Sequence, residues 1–442
     1  MPNCLNKHGL IYKDRIDIVI GIEYVDFYEN KYNTNFFTDL YIEYKRAFNG
    51  LHEDSCGLYK EGCHGKEQHI KRFNDLIENI KKVGVNTEVI PVIKYNNENW
   101  VINGFHRTSI LNYYNMDINI NISNEKNTII SNKNITEYVF YPTDIYYFKN
   151  KKYDLIYCNY TMYNFLKYYN KEFSSIILFP NNKTLPTDLY NEIKKDIIYE
   201  IDIPLSNFKN NFKNNFIQLL YYNEEWCKNG GYINKSNACF NIEGNLKIYF
   251  IKLQNIDKLV NYKKKVRNYY STGNNSIHTP DTQKENNELI QLLNNNTLMF
   301  MNVSPSLYIK YNNFNKLFNE LKELCKNKNI DTRKICITSS SVLSVYGIRD
   351  CGDIDLFIDK KYIDIFKDTE FDNHNKYTID NHYSKHFEDI IYNPNNHFYY
   401  QNFKFCNLSI ILDYKKYRIQ HQLYGIKSIE KDRKDIQEIN KL

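Results

Sequence analysis

Residues 335–359 read ICITSSSVLSVYGIRDCGDIDLFID. Residues 335–338 are a short β-rich run. Ser339, Ser340 and Ser341 follow, and residues 342–347 are apolar enough for a short buried helix. A polar loop, 348–352, leads into Asp353-Ile354-Asp355-Leu356-Phe357-Ile358. That run alternates as a strand does, so Asp353 and Asp355 are expected on one face. Carboxylates held side by side repel unless a cation lies between them. Hard oxygen ligands at this spacing suit Mg²⁺. A turn of small residues opening a helix suits phosphate, because free backbone N–H groups point outward there.

Strand, serine turn, helix and Asp-x-Asp, in that order, resemble the nucleotidyltransferases of the DNA polymerase beta superfamily. Their signature begins with a Gly-Ser or similar small pair. Here Ser339-Ser340 stand where Gly-Ser usually stands. The resemblance implies metal at Asp353 and Asp355, and an NTP whose phosphates meet Ser339, Ser340 and the loop residue Arg349. It also implies a third acid, on a strand beside Asp-x-Asp, that completes the metal site and deprotonates the acceptor. The downstream candidates are Asp380, Glu388, Asp389 and Asp413. Asp380 lies in the polar run 368–381, read as an exposed loop. Asp413 continues a helical pattern toward solvent. Asp389 precedes Ile390-Ile391-Tyr392, a β-prone run that would pair beside the motif strand, so Asp389 is the expected catalytic acid. Should none of the four meet the pair, a non-catalytic nucleotide-binding protein becomes the better reading.

A second constellation lies near the N-terminus. Residues 68–83 carry Ile70, Phe73, Ile77 and Ile80 at helical spacing. A strand (89–95), a turn, a strand (100–102), the loop Asn103-Gly104-Phe105-His106-Arg107, a helix and a further strand (117–122) follow. This order resembles the ParB/sulfiredoxin fold, whose loop binds a nucleotide phosphate. The resemblance implies phosphate at Gly104, His106 and Arg107, and more loosely Ser109. Gly104 permits close approach, and Arg107 forks onto phosphate. Sulfiredoxins carry a catalytic cysteine just before His-Arg; Phe105 stands there, which excludes sulfinic acid reduction. No helix-turn-helix region follows residue 122, which argues against a partition protein.

Between the two lies an Asn-rich linker (123–135) and an α/β region with strands at 175–179, 198–203 and 246–253. A helix over 256–270 carries Lys263, Lys264, Lys265 and Arg267, and His278, Asp281 and Glu285 come close behind. Lys264, Arg267, His278 and Asp281 read either as a phosphate or metal site or as a basic helix face beside an ordinary cap, with Thr279 or Asp281 as the cap. His52, Cys56, Cys63 and His64 cluster in one segment, but their spacing fits no familiar zinc pattern.

Composition sets the bounds. The 442 residues suffice for two or three domains, and 25% charged with 42% hydrophobic residues is ordinary for a soluble globular protein. A net charge of +6 is spread along the chain, which leaves nucleic acid open as a partner without indicating it. Forty-one Tyr against 15 Gly and 9 Pro, with abundant Asn, Ile and Lys, point to an AT-rich genome, as in some large DNA viruses. Ten scattered cysteines, no signal-peptide core and no long apolar run give a cytoplasmic, membrane-free expectation with reduced thiols.

The expectation is a multidomain α/β (α+β) protein. Residues 1–135 form a ParB/sulfiredoxin-like domain with a helical leader, 136–302 an unassigned α/β region, and 303–442 a nucleotidyltransferase-like domain. The expected reaction is Mg²⁺-dependent transfer of an NMP group from an NTP to a small phosphorylated or hydroxyl acceptor, sugar-related by resemblance. The alternatives are a non-catalytic nucleotide-binding scaffold, or a kinase or NTPase centred on the Gly104–Arg107 loop.

Overall fold

The computed structural model describes residues 10–11, 16–42, 66–83, 90–95, 98–101, 104–116, 120–122, 173–252, 256–304, 311–423 and 425–442. The protein is mixed α/β, with the chain divided into two compact units, Met1–Lys171 and Glu172–Leu442. The cysteine and histidine cluster at 52–64 and the linker at 123–135 lie outside the described residues.

In the first unit, β1 (Leu10–Ile11), β2 (Ile90–Tyr95), β3 (Glu98–Val101) and β4 (Ile120–Ile122) form a sheet in the order β1-β3-β2-β4. β2 and β3 are the expected hairpin, with Ile93 opposite Trp100. The helices α1 (Ile16–Asn30), α2 (Lys66–Val83) and α3 (Phe105–Tyr113) accompany the sheet, as does a helical segment at 36–42. Phe73, Ile77 and Ile80 of α2 are buried as their spacing requires, and Phe73 packs on Tyr24 at 4.9 Å and on Tyr41 at 5.3 Å. Burial of each such side chain stabilises by about 1.5–3 kcal/mol.

The second unit holds two sheets. In the first, β5 (Phe173–Leu178), β6 (Ile197–Pro204), β7 (Asn245–Lys252) and β8 (Ile277–His278) run in the order β6-β7-β5-β8, each neighbour antiparallel. Alternate residues face opposite layers. Ile176, Leu178, Tyr249 and Ile251 pack on the helices α4 (Thr187–Lys194) and α7 (Ile256–Tyr270). The helices α5 (Asn210–Leu220), α6 (Tyr232–Cys239) and α8 (Gln283–Leu292) contribute the other layer, where Phe179 meets Phe240 edge-on. The cap of α8 is Thr282, which accepts from the Glu285 N–H, and not Thr279 or Asp281.

The helix α9 (Asn295–Val303) joins this layer to the second sheet. Phe300 stacks on Phe398 at 4.4 Å, Asn294 donates to the Pro394 carbonyl, and Thr297 accepts from the Tyr399 N–H. The 302–303 junction therefore falls inside the last turn of a helix packed on both sides.

The second sheet comprises β9 (Ile335–Thr338), β10 (Asp355–Ile358), β11 (Asp372–Asn373), β12 (His397–Tyr400) and β13 (Phe403–Cys406), in the order β11-β10-β9-β13-β12. The β12–β13 hairpin turns through Gln401 and Asn402, both at positive φ, as a tight two-residue turn requires. Ile335, Ile337, Leu356, Phe357 and Ile358 are wholly buried, so the two motif strands form the middle of the core. The helix α10 (Asn312–Asn327) covers this sheet through Phe314 and Phe318. Five more helices follow in the described residues, besides one short turn of helix at Ile363–Phe366: α11 (Ser340–Val345), α12 (Asn375–Ile379), α13 (Phe387–Tyr392), and a C-terminal pair whose members are α14 (Leu408–Gln420) and α15 (Ile426–Ile439).

Candidate metal centre

The site begins where β9 ends. Ser339 turns the chain from β9 into α11 with φ 60° and ψ −132°, a conformation that suits glycine. The three serines then divide the work. Ser339 supplies the turn. Ser340 directs its hydroxyl toward Asp353 Oδ1, at 3.5 Å. Ser341 donates to the Asp353 carbonyl at 3.0 Å, and Ser344 donates to the Arg349 carbonyl at 2.9 Å. The two buried hydroxyls thereby anchor both ends of the loop that delivers the acids.

The motif strand is shorter than the alternation suggested. β10 starts at Asp355, and Asp353 sits in the loop just ahead of it. The acids still converge. A third acid, Asp372, lies opposite Asp355 on the parallel strand β11. Asp353, Asp355 and Asp372 each present an oxygen within 4.8 Å of the others. Asp353 and Asp372 are exposed, while Asp355 is only 6% exposed. The group therefore opens to solvent on one side and rests on the core on the other.

Electrostatics match this crowding. Burial, then the charges of Asp355 and Asp372, push the Asp353 carboxyl above its ordinary range. Beneath the trio, His374 Nε2 lies 3.0 Å from Asp355 Oδ1. An N–H at Nε2 donates to that carboxylate, and Nδ1 lies 3.2 Å from the Tyr383 hydroxyl. Tyr383 is wholly surrounded and stacks on Tyr414 at 4.0 Å, and burial drives its phenol well above the ordinary value, so it keeps its proton. Asp355 is thus oriented by a buried imidazole that is itself oriented by a buried phenol. Three carboxylates whose oxygens converge to within 4.8 Å are a hard, all-oxygen donor set that fits Mg²⁺ or a similar divalent cation.

Several expectations are corrected. Asp389 lies on the helix α13, not on a strand, because His386 caps residues 387–392 by accepting from the Glu388 N–H. Its carboxylate accepts from Asn396 at 2.8 Å. Glu388 is buried against Lys360, Asp380 ends α12, and Asp413 is exposed on α14, so none of the four candidates joins the pair. Arg349 is not directed at phosphate. It donates from Nε and Nη2 to Asp435 at 2.7 and 2.9 Å, and from Nη1 to the Asp350 carbonyl. In the first unit, Gly104 does adopt φ 83° at the start of α3. His106, however, is turned into the core: its Nε2 bonds the Tyr41 hydroxyl at 2.8 Å and its ring meets Phe73 edge-on at 4.5 Å. Ser109 donates to the Ile18 carbonyl, and Arg107 is partly buried on the same helix.

Asp372, His374 and Tyr383 are the residues that sequence reasoning missed. The available signal was the buried Phe371 ahead of Asp372, one apolar residue in a polar run. A cleft of about 620 Å³ opens on the first sheet of this unit, lined by Tyr190, Tyr249, Lys183, Lys247, Glu200 and Asp202, and Asp353, Asp355 and Asp372 are not in its lining. No helix of the described residues is long and apolar enough to cross a membrane. No protein-family model, curated protein or solved structure matches the chain.

Proposed function

We propose that the second unit is a nucleotidyltransferase of the DNA polymerase beta kind, moving an NMP group from an NTP to a small phosphorylated or hydroxyl-bearing acceptor. None of the four acids weighed from the sequence meets the pair, which by itself favours a non-catalytic module; the observation that carries the enzyme reading instead is a fifth acid, Asp372. It supplies the third carboxylate beside Asp353 and Asp355, after a strand and a serine turn. In the reaction the acceptor oxygen forms a bond to the α-phosphorus, the α–β phosphoanhydride bond breaks, and pyrophosphate leaves. The acceptor's proton passes to a carboxylate of the trio, with Asp372 and Asp353 the members open to solvent. His374 holds Asp355 in a single orientation throughout. A Mg²⁺ ion held by the three acids would neutralise charge on the transferring group and on the leaving oxygens.

One observation favours a second reading, a nucleotide-binding module without turnover. Arg349 is consumed by Asp435, so the motif loop lacks the free guanidinium that the resemblance implied. The kinase reading at the Gly104 loop has less support, since His106 faces Tyr41 and Phe73. Incubation with NTPs labelled at the α or γ position, with Mg²⁺ and a panel of acceptors, separates the three. Transfer of α label into product supports nucleotidyl transfer. Transfer of γ label overturns it in favour of phosphoryl transfer, and tight binding with neither overturns it in favour of the module.

A further inference from the structure

A second polar cluster lies at the β8 edge of the first sheet in this unit, apart from the acids. It starts from His278. On a two-residue edge strand, Ile277 faces the α7 layer and His278 faces the α5 layer. There Tyr221, just past α5, bonds His278 Nδ1 through its hydroxyl at 2.9 Å. Burial pushes that phenol upward, so it keeps its proton and donates. The imidazole is therefore neutral with its remaining proton on Nε2, a hydrogen-bond donor.

Three cations converge on this imidazole from two elements. Lys235 of α6 reaches across the Tyr221 ring, 6.0 Å from its centre, and donates to the Asn274 carbonyl and to Asn275 in the loop that enters β8. Lys263 of α7 lies 3.7 Å from Asp281, just beyond β8, and its side chain is 22% exposed. Arg267 lies one helical turn further along the same face of α7. Its Nε is buried and meets no hydrogen-bond partner among the described residues.

The charges do not balance. Asp281 is the acid at Lys263, and it is 82% exposed, so water screens most of its effect. Burial first, and then Lys263, Lys235 and Arg267, hold His278 down to about 3, so the imidazole stays neutral beside these cations. Lys235 is likewise pushed below its ordinary value by burial and by Arg267. Like charges gathered around an imidazole whose Nδ1 is taken by Tyr221 and whose Nε2–H can only donate, with a buried guanidinium nitrogen left unbonded, destabilise a fold unless an anion joins them.

We propose that this edge of the sheet binds a phosphoryl oxyanion, with Arg267, Lys263 and Lys235 as cationic donors and the Nε2–H of His278 as the neutral one. Lys264, which the sequence also offered, points to solvent and takes no part. A guanidinium fork, two ammonium groups and an N–H donor match the several acceptor oxygens of a phosphate better than a single carboxylate or a halide. The ligand is a small phosphate ester or oligophosphate, and the site does not depend on the metal centre.

The test uses the full chain in EDTA, with inorganic phosphate, inorganic pyrophosphate and ATP as probes, followed by calorimetry and by the His278 ring signals in NMR. Wild-type protein is expected to bind pyrophosphate and to shift the His278 ring signals. Arg267→Gln, Lys263→Gln and Lys235→Gln should each weaken binding about tenfold, the loss of one charge-assisted contact. Arg267→Lys should restore part of it, and Asp353→Asn should leave it unchanged. If Arg267→Gln fails to fold, Lys235→Gln, a half-buried position on α6 where the amide can still meet Asn274 and Asn275, serves alone. Equal affinity for ATP and pyrophosphate would assign recognition to the phosphates, and tighter ATP binding would add a nucleoside contact. Absence of pyrophosphate binding by the wild type, unchanged affinity in the cation variants, or loss of binding in Asp353→Asn would overturn the proposal.

Discussion

Asp432 and Asp435 stand on α15, almost wholly buried, with Lys415, Arg418 and Arg349 against them. Asp353, Asp355 and Asp372 stand against one another, with the imidazole of His374 beneath. The first group is matched internally: Lys415 lies 2.8 Å from Asp432 and 2.7 Å from Asp435, and Arg349 forks onto Asp435. Burial alone would raise the Asp435 carboxyl, but the Arg349 bond and Lys415 outweigh it and hold it below its ordinary range. The Asp353 carboxyl is displaced the other way. Acids closed by cations act as a staple between the motif loop and the C-terminal helices. Acids that face mainly one another, with a single imidazole beneath, leave an excess of negative charge that a divalent cation can balance. The two groups are also linked, because the loop that Arg349 anchors is the one that delivers Asp353.

The largest expected effect breaks the staple. Asp435→Asn leaves Arg349 and Lys415 short of a partner in a buried setting and should destabilise the second unit by about 3–5 kcal/mol in denaturant unfolding. A loss below about 1 kcal/mol would mean that water or Asp432 compensates, and the two groups would then differ less than their geometry suggests.

Asp372→Asn tests the other side. It should lower divalent-ion affinity and any nucleotidyl transfer at least about 100-fold, while stability in EDTA stays level or rises slightly, since a repulsion is removed. In the wild type, Mg²⁺ should raise the melting temperature, by about 2.7 kcal/mol of stability at a hundred times the dissociation constant. If Asp372→Asn keeps the Mg²⁺ shift, Asp372 is a bystander.

pH sharpens the contrast, because the two signs are opposite. Asp435 is held low, so its contribution to stability is present above the ordinary carboxylate value and is lost as the pH falls through its lowered value. Asp353 is held high, so the native state takes its proton more readily than the unfolded chain does. Its relative contribution is best at low pH and declines as the pH rises through its raised value. Melting curves from pH 7 to pH 3 should therefore show the penalty of Asp435→Asn shrinking toward acid. Any benefit of Asp353→Asn in EDTA should shrink over the same range. Parallel curves for both variants would contradict the assignment.

The sequence carried the motif well because its elements are local. An apolar run, a set of small residues and a second apolar run are enough for β9, the turn, α11 and β10, and the hairpin at 397–406 shows its alternation openly. Asp372 was hidden because β11 is two residues long and exists only by pairing with β10, a contact that no local pattern encodes. The run Ile390-Ile391-Tyr392 has β-branched residues and reads as strand, yet His386 caps a helix there and the buried side chains override propensity. Arg349 looked free because its partner, Asp435, lies far along the chain. His106 looked like a loop residue because the aromatic pair that receives it comes from helical segments elsewhere in the first unit.

The smallest effect concerns Ser339, where the chain departs from the glycine of the resembled signature. At φ 60° and ψ −132° a side chain is strained, by roughly 1–2 kcal/mol. Glycine relieves that strain but gives the unfolded chain more freedom, which offsets about 0.5–1 kcal/mol. Ser339→Gly should therefore stabilise by a net of about 0.5 kcal/mol, a rise of one or two degrees in melting temperature by the usual scaling, with metal binding unchanged. Ser339→Ala removes the hydroxyl and keeps the strain, so it should not stabilise. The pair separates backbone from side chain. If Gly lowers stability as much as Ala does, the Ser339 hydroxyl makes a contact that outweighs the strain. If both variants keep their stability but lose nucleotide affinity, Ser339 acts on the nucleotide through its hydroxyl, and its role is then more than turning the chain from β9 into α11.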